Sequence, residues 1–117
     1  MINAVHLLFH SEDPEADRAF LRDVLKFPYV DDDGAGWLIF KLPPGEVGVH
    51  PAEKGGGSDF YFMCDDLDTT LEELKAKGAK VLSPPSKRDW GTATWIRLPG
   101  GAEVGLYQPL HKTAYDL

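Results

Sequence analysis

The sequence predicts an α+β fold of two tandem βαβββ modules, and three observations predict it. Glu46-Val47-Gly48-Val49-His50-Pro51 recurs as Glu103-Val104-Gly105-Leu106-Tyr107-Gln108-Pro109, a half-buried strand with a glycine at the same place in each copy. Upstream, His6-Leu7-Leu8-Phe9-His10 leads to Asp13 and an amphipathic run, just as Asp59-Phe60-Tyr61-Phe62-Met63-Cys64 leads to Asp66 and another. Gly55-Gly56-Gly57-Ser58, the flexible stretch of the chain, falls between the copies. A spacing near 50 residues is that of a repeated supersecondary unit, and two copies point to a pseudo-symmetric domain rather than a solenoid. The expected organisation is one domain over 1–117, with modules at 3–53 and 58–109.

Each element has its own warrant. Residues 3–10 alternate as a strand, with His6, Leu8 and His10 on one face and Val5, Leu7 and Phe9 on the other. Asp13-Pro14 is an N-cap with proline at the first helical position, and Ala16, Phe20 and Val24 with Leu21 and Leu25 continue a helix of about three turns. Trp37 to Leu42 reads as a strand, Pro43-Pro44-Gly45 as a turn, and a short strand fits around Tyr29. In the second module, Asp65 or Asp66 caps a helix with Leu67, Leu71 and Leu74 on one face, which Gly78 ends. Lys80-Val81-Leu82 begins a strand, Pro84-Pro85 breaks it, and Thr92 to Leu98 is the next. From Leu110 the tail has no strong pattern.

Composition excludes several functions. With 117 residues and 43% hydrophobic content the chain can bury a real core. Twelve basic against nineteen acidic residues give a net charge of −7, which repels nucleic acid and anionic membranes. No apolar run approaches the ~20 residues of a membrane span. No basic segment precedes the short apolar start, so a cytoplasmic location is expected. Cys64 is the single cysteine; it admits no internal disulfide or thiolate cluster, and reads as a buried small hydrophobe on the face of Phe60 and Phe62.

The segment from His6 through Asp13, then Phe20-Leu21-Arg22-Asp23-Val24-Leu25-Lys26-Phe27, resembles the "FYrdvLGF" region of the vicinal oxygen chelate superfamily. Trp90-Gly91-Thr92 through Pro99-Gly100-Gly101-Ala102-Glu103-Val104 is similar to its "G…DPdG…iEl" ending. That superfamily includes glyoxalase, extradiol dioxygenases and the bleomycin- and fosfomycin-resistance proteins. The resemblance spans residues 3–109 and implies curved sheets around an open half-barrel cavity, completed or shared in a homodimer. In metal-using relatives the first and last strands of each module point four ligands into it. Here those positions are His6, Gly48, Asp59 and Gly105, of which only His6 is a usual ligand.

Strand alternation turns His6, His10, His50, Asp59, Tyr61, Met63 and Tyr107 toward one cavity. Glu46 and Glu103 share the face of the two glycines but sit at the strand mouth, where a solvated carboxylate is the plainer expectation. Trp37, Trp90 and Trp95 read either as core or, with Tyr61 and Tyr107, as the lining for a flat aromatic or cationic ligand. Arg97 could meet a ligand anion or be a surface charge.

Two functions follow. One is a metal-independent module that sequesters a small aromatic molecule, as in the resistance-protein branch, with cavity residues His6, His10, His50, Asp59, Tyr61, Met63, Trp95 and Tyr107. The other is a metal-dependent lyase, isomerase or extradiol-type dioxygenase in which His6, His50 and Asp59 hold a divalent ion (Zn, Fe or Mn). The glycines favour the first reading and His6 the second; whether the chain is an enzyme stays open at this stage.

Overall fold

A computed structural model describes residues 6–31, 34–49 and 51–117. Asp13 caps the first helix through its side chain, which accepts from the Ala16 N–H at 3.1 Å, and Pro14 supplies a preset φ at the start. This helix, α1 (Pro14–Ala19), runs on into a wider π turn at Phe20–Val24, where the Leu25 N–H reaches back five residues to the Phe20 carbonyl. The turn ends at Lys26, which holds φ at +61° where the family pattern quoted above has glycine. After it, β1 (Tyr29–Val30) and β2 (Ile39–Phe40) pair antiparallel as a short ribbon.

The first half is thinner in regular structure than its sequence suggests. Residues 6–10 form no strand, the strand expected over 37–42 contracts to β2, and 46–49 carry no ladder. Residues 3–5 and His50 lie outside the described residues. A strand needs a neighbour for its N–H and C=O groups, and two-stranded ribbons are marginal alone. The copy at 103–109 has a neighbour on each side; among the described residues, 46–49 have none in this chain. Their side chains show it, with Val47 91% and Val49 97% exposed.

The second half is a closed argument in sequence and packing. The chain passes through β3 (Tyr61–Met63), α2 (Leu67–Ala76), β4 (Lys80–Val81), β5 (Ser86–Arg88), β6 (Gly91–Arg97) and β7 (Glu103–Pro109). The sheet order is β3-β7-β6-β4, with β5 also on β6; β3 runs parallel to β7 and the other pairs are antiparallel. Asp66 caps α2 by accepting from the Thr69 N–H at 3.1 Å, and Gly78, at φ +88°, lets the chain leave the helix in a left-handed turn. Leu67, Leu71 and Leu74 bury the helix stripe against Ile96, Leu98, Val104 and Leu106 of the sheet. Each such side chain contributes about 1.5–3 kcal/mol by leaving water. The strand β5 goes beyond the sequence reading: the Pro84-Pro85 break is followed at once by three residues that pair with Gly91 to Ala93.

Helix α1 is tied to the sheet at the β6–β7 turn. Asp17, only 6% exposed, accepts from the Gly100 N–H at 2.7 Å, and the Glu12 N–H donates to the Gly100 carbonyl at 2.9 Å. Gly100 is a close-approach glycine, since a Cβ there would collide with Ser11 and come within 2.6 Å of Asp17 Oδ2. Phe9, Val24 and Leu25 pack onto the same core. The architecture is α+β with an open sheet surface and no closed barrel.

Candidate functional site

Residues of β3 and β7 line an open cleft of about 2200 Å³ together with the 46–49 segment and His111 and Tyr115 of the C-terminal tail. That is well beyond the roughly 300–1,000 Å³ of a formed small-molecule pocket, so the cleft is broad and open. Of the cavity residues expected from sequence, His6, Asp59, Tyr61, Met63 and Tyr107 line it. His10 is exposed and off its surface, and His50 is outside the described residues. Trp95 stands behind the lining, its ring 4.9 Å from that of Tyr61.

Alternation along β3 sets the two faces. Phe60, Phe62 and Cys64 pack on the core cluster, while Tyr61 and Met63 alternate with them on the other face; both sets reach the broad cleft. Burial pushes the Cys64 thiol up from its ordinary pKa, as a half-buried small hydrophobe requires. Tyr61 lies opposite Gly105 in the parallel ladder, and its ring covers the space a side chain at 105 would use. From there the rings continue: Tyr61 to Tyr107 at 5.9 Å edge-on, Tyr107 to Trp90 at 5.3 Å, and Tyr107 to His111 at 5.7 Å. The Tyr107 hydroxyl donates to the Trp90 carbonyl at 3.0 Å, which fixes the tyrosine in the wall. Burial raises the Tyr61 phenol above its usual pKa, with the Asp59 charge adding to it; Tyr107 is raised by burial and then by Glu46. The wall is therefore aromatic, uncharged at neutral pH, and flanked by two carboxylates.

The four-ligand arrangement of metal-using relatives does not fit these residues. Gly48 and Gly105 have no donor side chain, and the ring of Tyr61 occupies the room at 105. Among the described residues, no three His, Cys, Asp or Glu side chains gather closely enough to hold a metal ion. His6 and Asp59 both line the cleft, and the third member of the expected His6, His50 and Asp59 set is the undescribed one.

Glu46, expected as a solvated carboxylate at the strand mouth, is instead covered: its side chain retains only 18% of its surface because the tail folds over it. Its Oε1 accepts from the Ala114 N–H at 2.8 Å, and its Oε2 lies 3.6 Å from His111 Nε2. His111 and the 3₁₀ turn at Ala114–Asp116 are not singled out by the sequence, and neither has a periodic signal to find. Strand parity puts Glu46 on the inward face but says nothing of the tail that covers it. Arg97, by contrast, faces Glu103 at 3.9 Å across the β6–β7 pair, both side chains partly exposed.

The sequence pattern described as "Glyoxalase/Bleomycin resistance protein/Dioxygenase superfamily" matches residues 3–106. Among solved structures, the chain is similar to a lactoylglutathione lyase from Agrobacterium tumefaciens, with 22% identity, coverage of 92% of this chain and 94% of that one, and a TM-score of 0.64. It is similar to an antibiotic binding protein, TnmS3, from Streptomyces sp. CB03234, at 24% identity, 93% and 98% coverage, and a TM-score of 0.62. A superfamily member from Sphaerobacter thermophilus gives 23% identity, 92% and 98% coverage, and 0.63. At these identities the likeness is one of fold. No curated protein sequence matches the chain significantly.

Proposed function

This chain belongs to the glyoxalase/bleomycin resistance protein/dioxygenase superfamily, and from that premise we propose that it is a metal-independent binding module for a small, planar aromatic molecule. The observation that carries the reading is the Tyr61 ring lying over Gly105, which puts an aromatic surface where a metal ligand would stand. A ligand stacked on Tyr61, Tyr107 and Trp90 gains aromatic contacts worth about 0.5–1.5 kcal/mol per pair beyond the area it buries. The fold is shared with an antibiotic binding protein, and capture of a flat organic molecule is the role this wall suits.

The cleft is closed, in this reading, by a second copy of the chain. Leu8, Trp37, Val47 and Val49 form an apolar margin too exposed for a stable monomer surface, and the ladder-less 46–49 segment has free edges for pairing. Sedimentation at micromolar concentration tests this: a homodimer is expected, and a monomer would refute the shared cavity. No helix among the described residues is long and apolar enough to cross a membrane, and we place the protein in the cytoplasm.

One observation favours a second reading. His6 and Asp59 line the same cleft, so with His50 they could hold a zinc, iron or manganese ion in a lyase, isomerase or dioxygenase. Such an ion would polarise two vicinal substrate oxygens. Metal analysis of protein purified without chelator, beside His6→Ala, separates the two. The binding reading expects no stoichiometric metal in either sample; bound metal that is lost in the variant would overturn it.

A further inference from the structure

The Glu46 carboxylate is held in the cleft with no lysine or arginine paired to it among the described residues. Its contacts are a backbone N–H and an imidazole, both from the C-terminal tail. Beside it stand the rings of Tyr107 and His111, and Trp90 follows at 5.3 Å from Tyr107. At the other end of the ring array, the exposed Asp59 lines the cleft near Tyr61. The basic residues of the cleft stand elsewhere: Arg18 lies over the Trp37 ring at 4.8 Å, and Lys41 and Lys54 are exposed on the rim.

We propose that Glu46 makes the cleft selective for planar ligands carrying a positive charge, and that His111 and Ala114 of the C-terminal tail fill the ligand's place on Glu46 when the cleft is empty. The proposal rests on the aromatic-binding function above. A cation over electron-rich ring faces is attracted by their quadrupoles, and a carboxylate at the end of the stack adds a direct partner in a site partly screened from water. The tail supplies the same two kinds of donor in weaker form, an uncharged N–H and a titratable imidazole 3.6 Å away. A ligand ammonium or amidinium can outbid both, and the tail then moves aside.

Two probes of nearly equal shape and different charge test it: 9-aminoacridine, a cation at pH 8, and acridine, neutral at that pH. Each is titrated into the full-length protein with tryptophan fluorescence as the readout, and near-ultraviolet circular dichroism checks that every variant is folded. The cation is expected to bind roughly tenfold more tightly than the neutral probe, an advantage that shrinks with added salt. Glu46→Gln is expected to remove most of that ratio. His111→Ala is expected to strengthen cation binding several-fold. Equal affinities in the native protein, or a ratio that survives Glu46→Gln, overturn the selectivity and leave the aromatic cleft standing. Weaker cation binding by His111→Ala overturns the exchange with the tail. Failure of both probes to bind overturns the aromatic-binding function itself, and this proposal with it.

Discussion

Lys26 holds a conformation that costs an ordinary residue free energy, and replacing it by glycine is expected to stabilise the protein. Its φ of +61° closes the π turn that follows α1, and the Phe27 N–H next to it bonds to the Leu21 carbonyl. The left-handed region costs a residue with a Cβ about 1–2 kcal/mol. Glycine avoids that cost but loses more backbone freedom on folding, about 0.5–1 kcal/mol. The difference leaves Lys26→Gly more stable by about 0.5–1 kcal/mol, which for a domain of this size raises Tm by about 2–5 °C. Lys26→Ala is the control: it removes the charge near Asp23 but keeps the Cβ, so its Tm should stay near that of the native chain. Differential scanning calorimetry decides it. A Lys26→Gly variant with unchanged or lower Tm, or an alanine variant that gains as much, would refute the backbone argument.

The remaining predictions concern junction, cap and thiol. Asp17→Ala strands the buried Gly100 N–H and should lower stability by about 1–3 kcal/mol in urea unfolding, whereas Asp17→Asn keeps an acceptor and should cost clearly less; equal losses would mean the bond is not what counts. Asp66 has its carboxyl pKa lowered by the Thr69 N–H at the start of α2. Its contribution is therefore present at neutral pH and lost as pH falls through the lowered value, so the Tm gap between native protein and Asp66→Ala should narrow from pH 7 toward pH 3. A constant gap would refute the charge-dependent cap. The Cys64 thiol, pushed up by burial, should react with iodoacetamide at pH 8 more slowly than free cysteine does, and reaction at the free rate would show the site to be open.

Much of the second module could be read from its residues because its signals are local. Asp66, the Leu67-Leu71-Leu74 stripe and Gly78 define α2 without help from elsewhere, and the β-rich runs at 92–98 and 103–109 mark β6 and β7. Residues 6–10 and 46–49 carry equally good alternation and yet form no strand, since a ladder depends on a neighbour that periodicity does not specify. The site divides the same way. Tyr61, Met63 and Tyr107 line the cleft, as do their strand neighbours Phe60, Phe62 and Leu106, while Trp95 is in ring contact with Tyr61 outside that lining. Glu46 needed the tail, whose contact spans 68 residues of sequence.

The Tyr61 ring over Gly105 also constrains which proteins this one can become. A carboxylate introduced at 105 alone would meet the ring and disrupt two strands, and a smaller residue at 61 alone would leave a hollow beside Trp95. The two positions are thus sterically coupled: a side chain at 105 needs the Tyr61 ring to move or shrink first. Residues 61 and 105 are therefore expected to change together rather than singly.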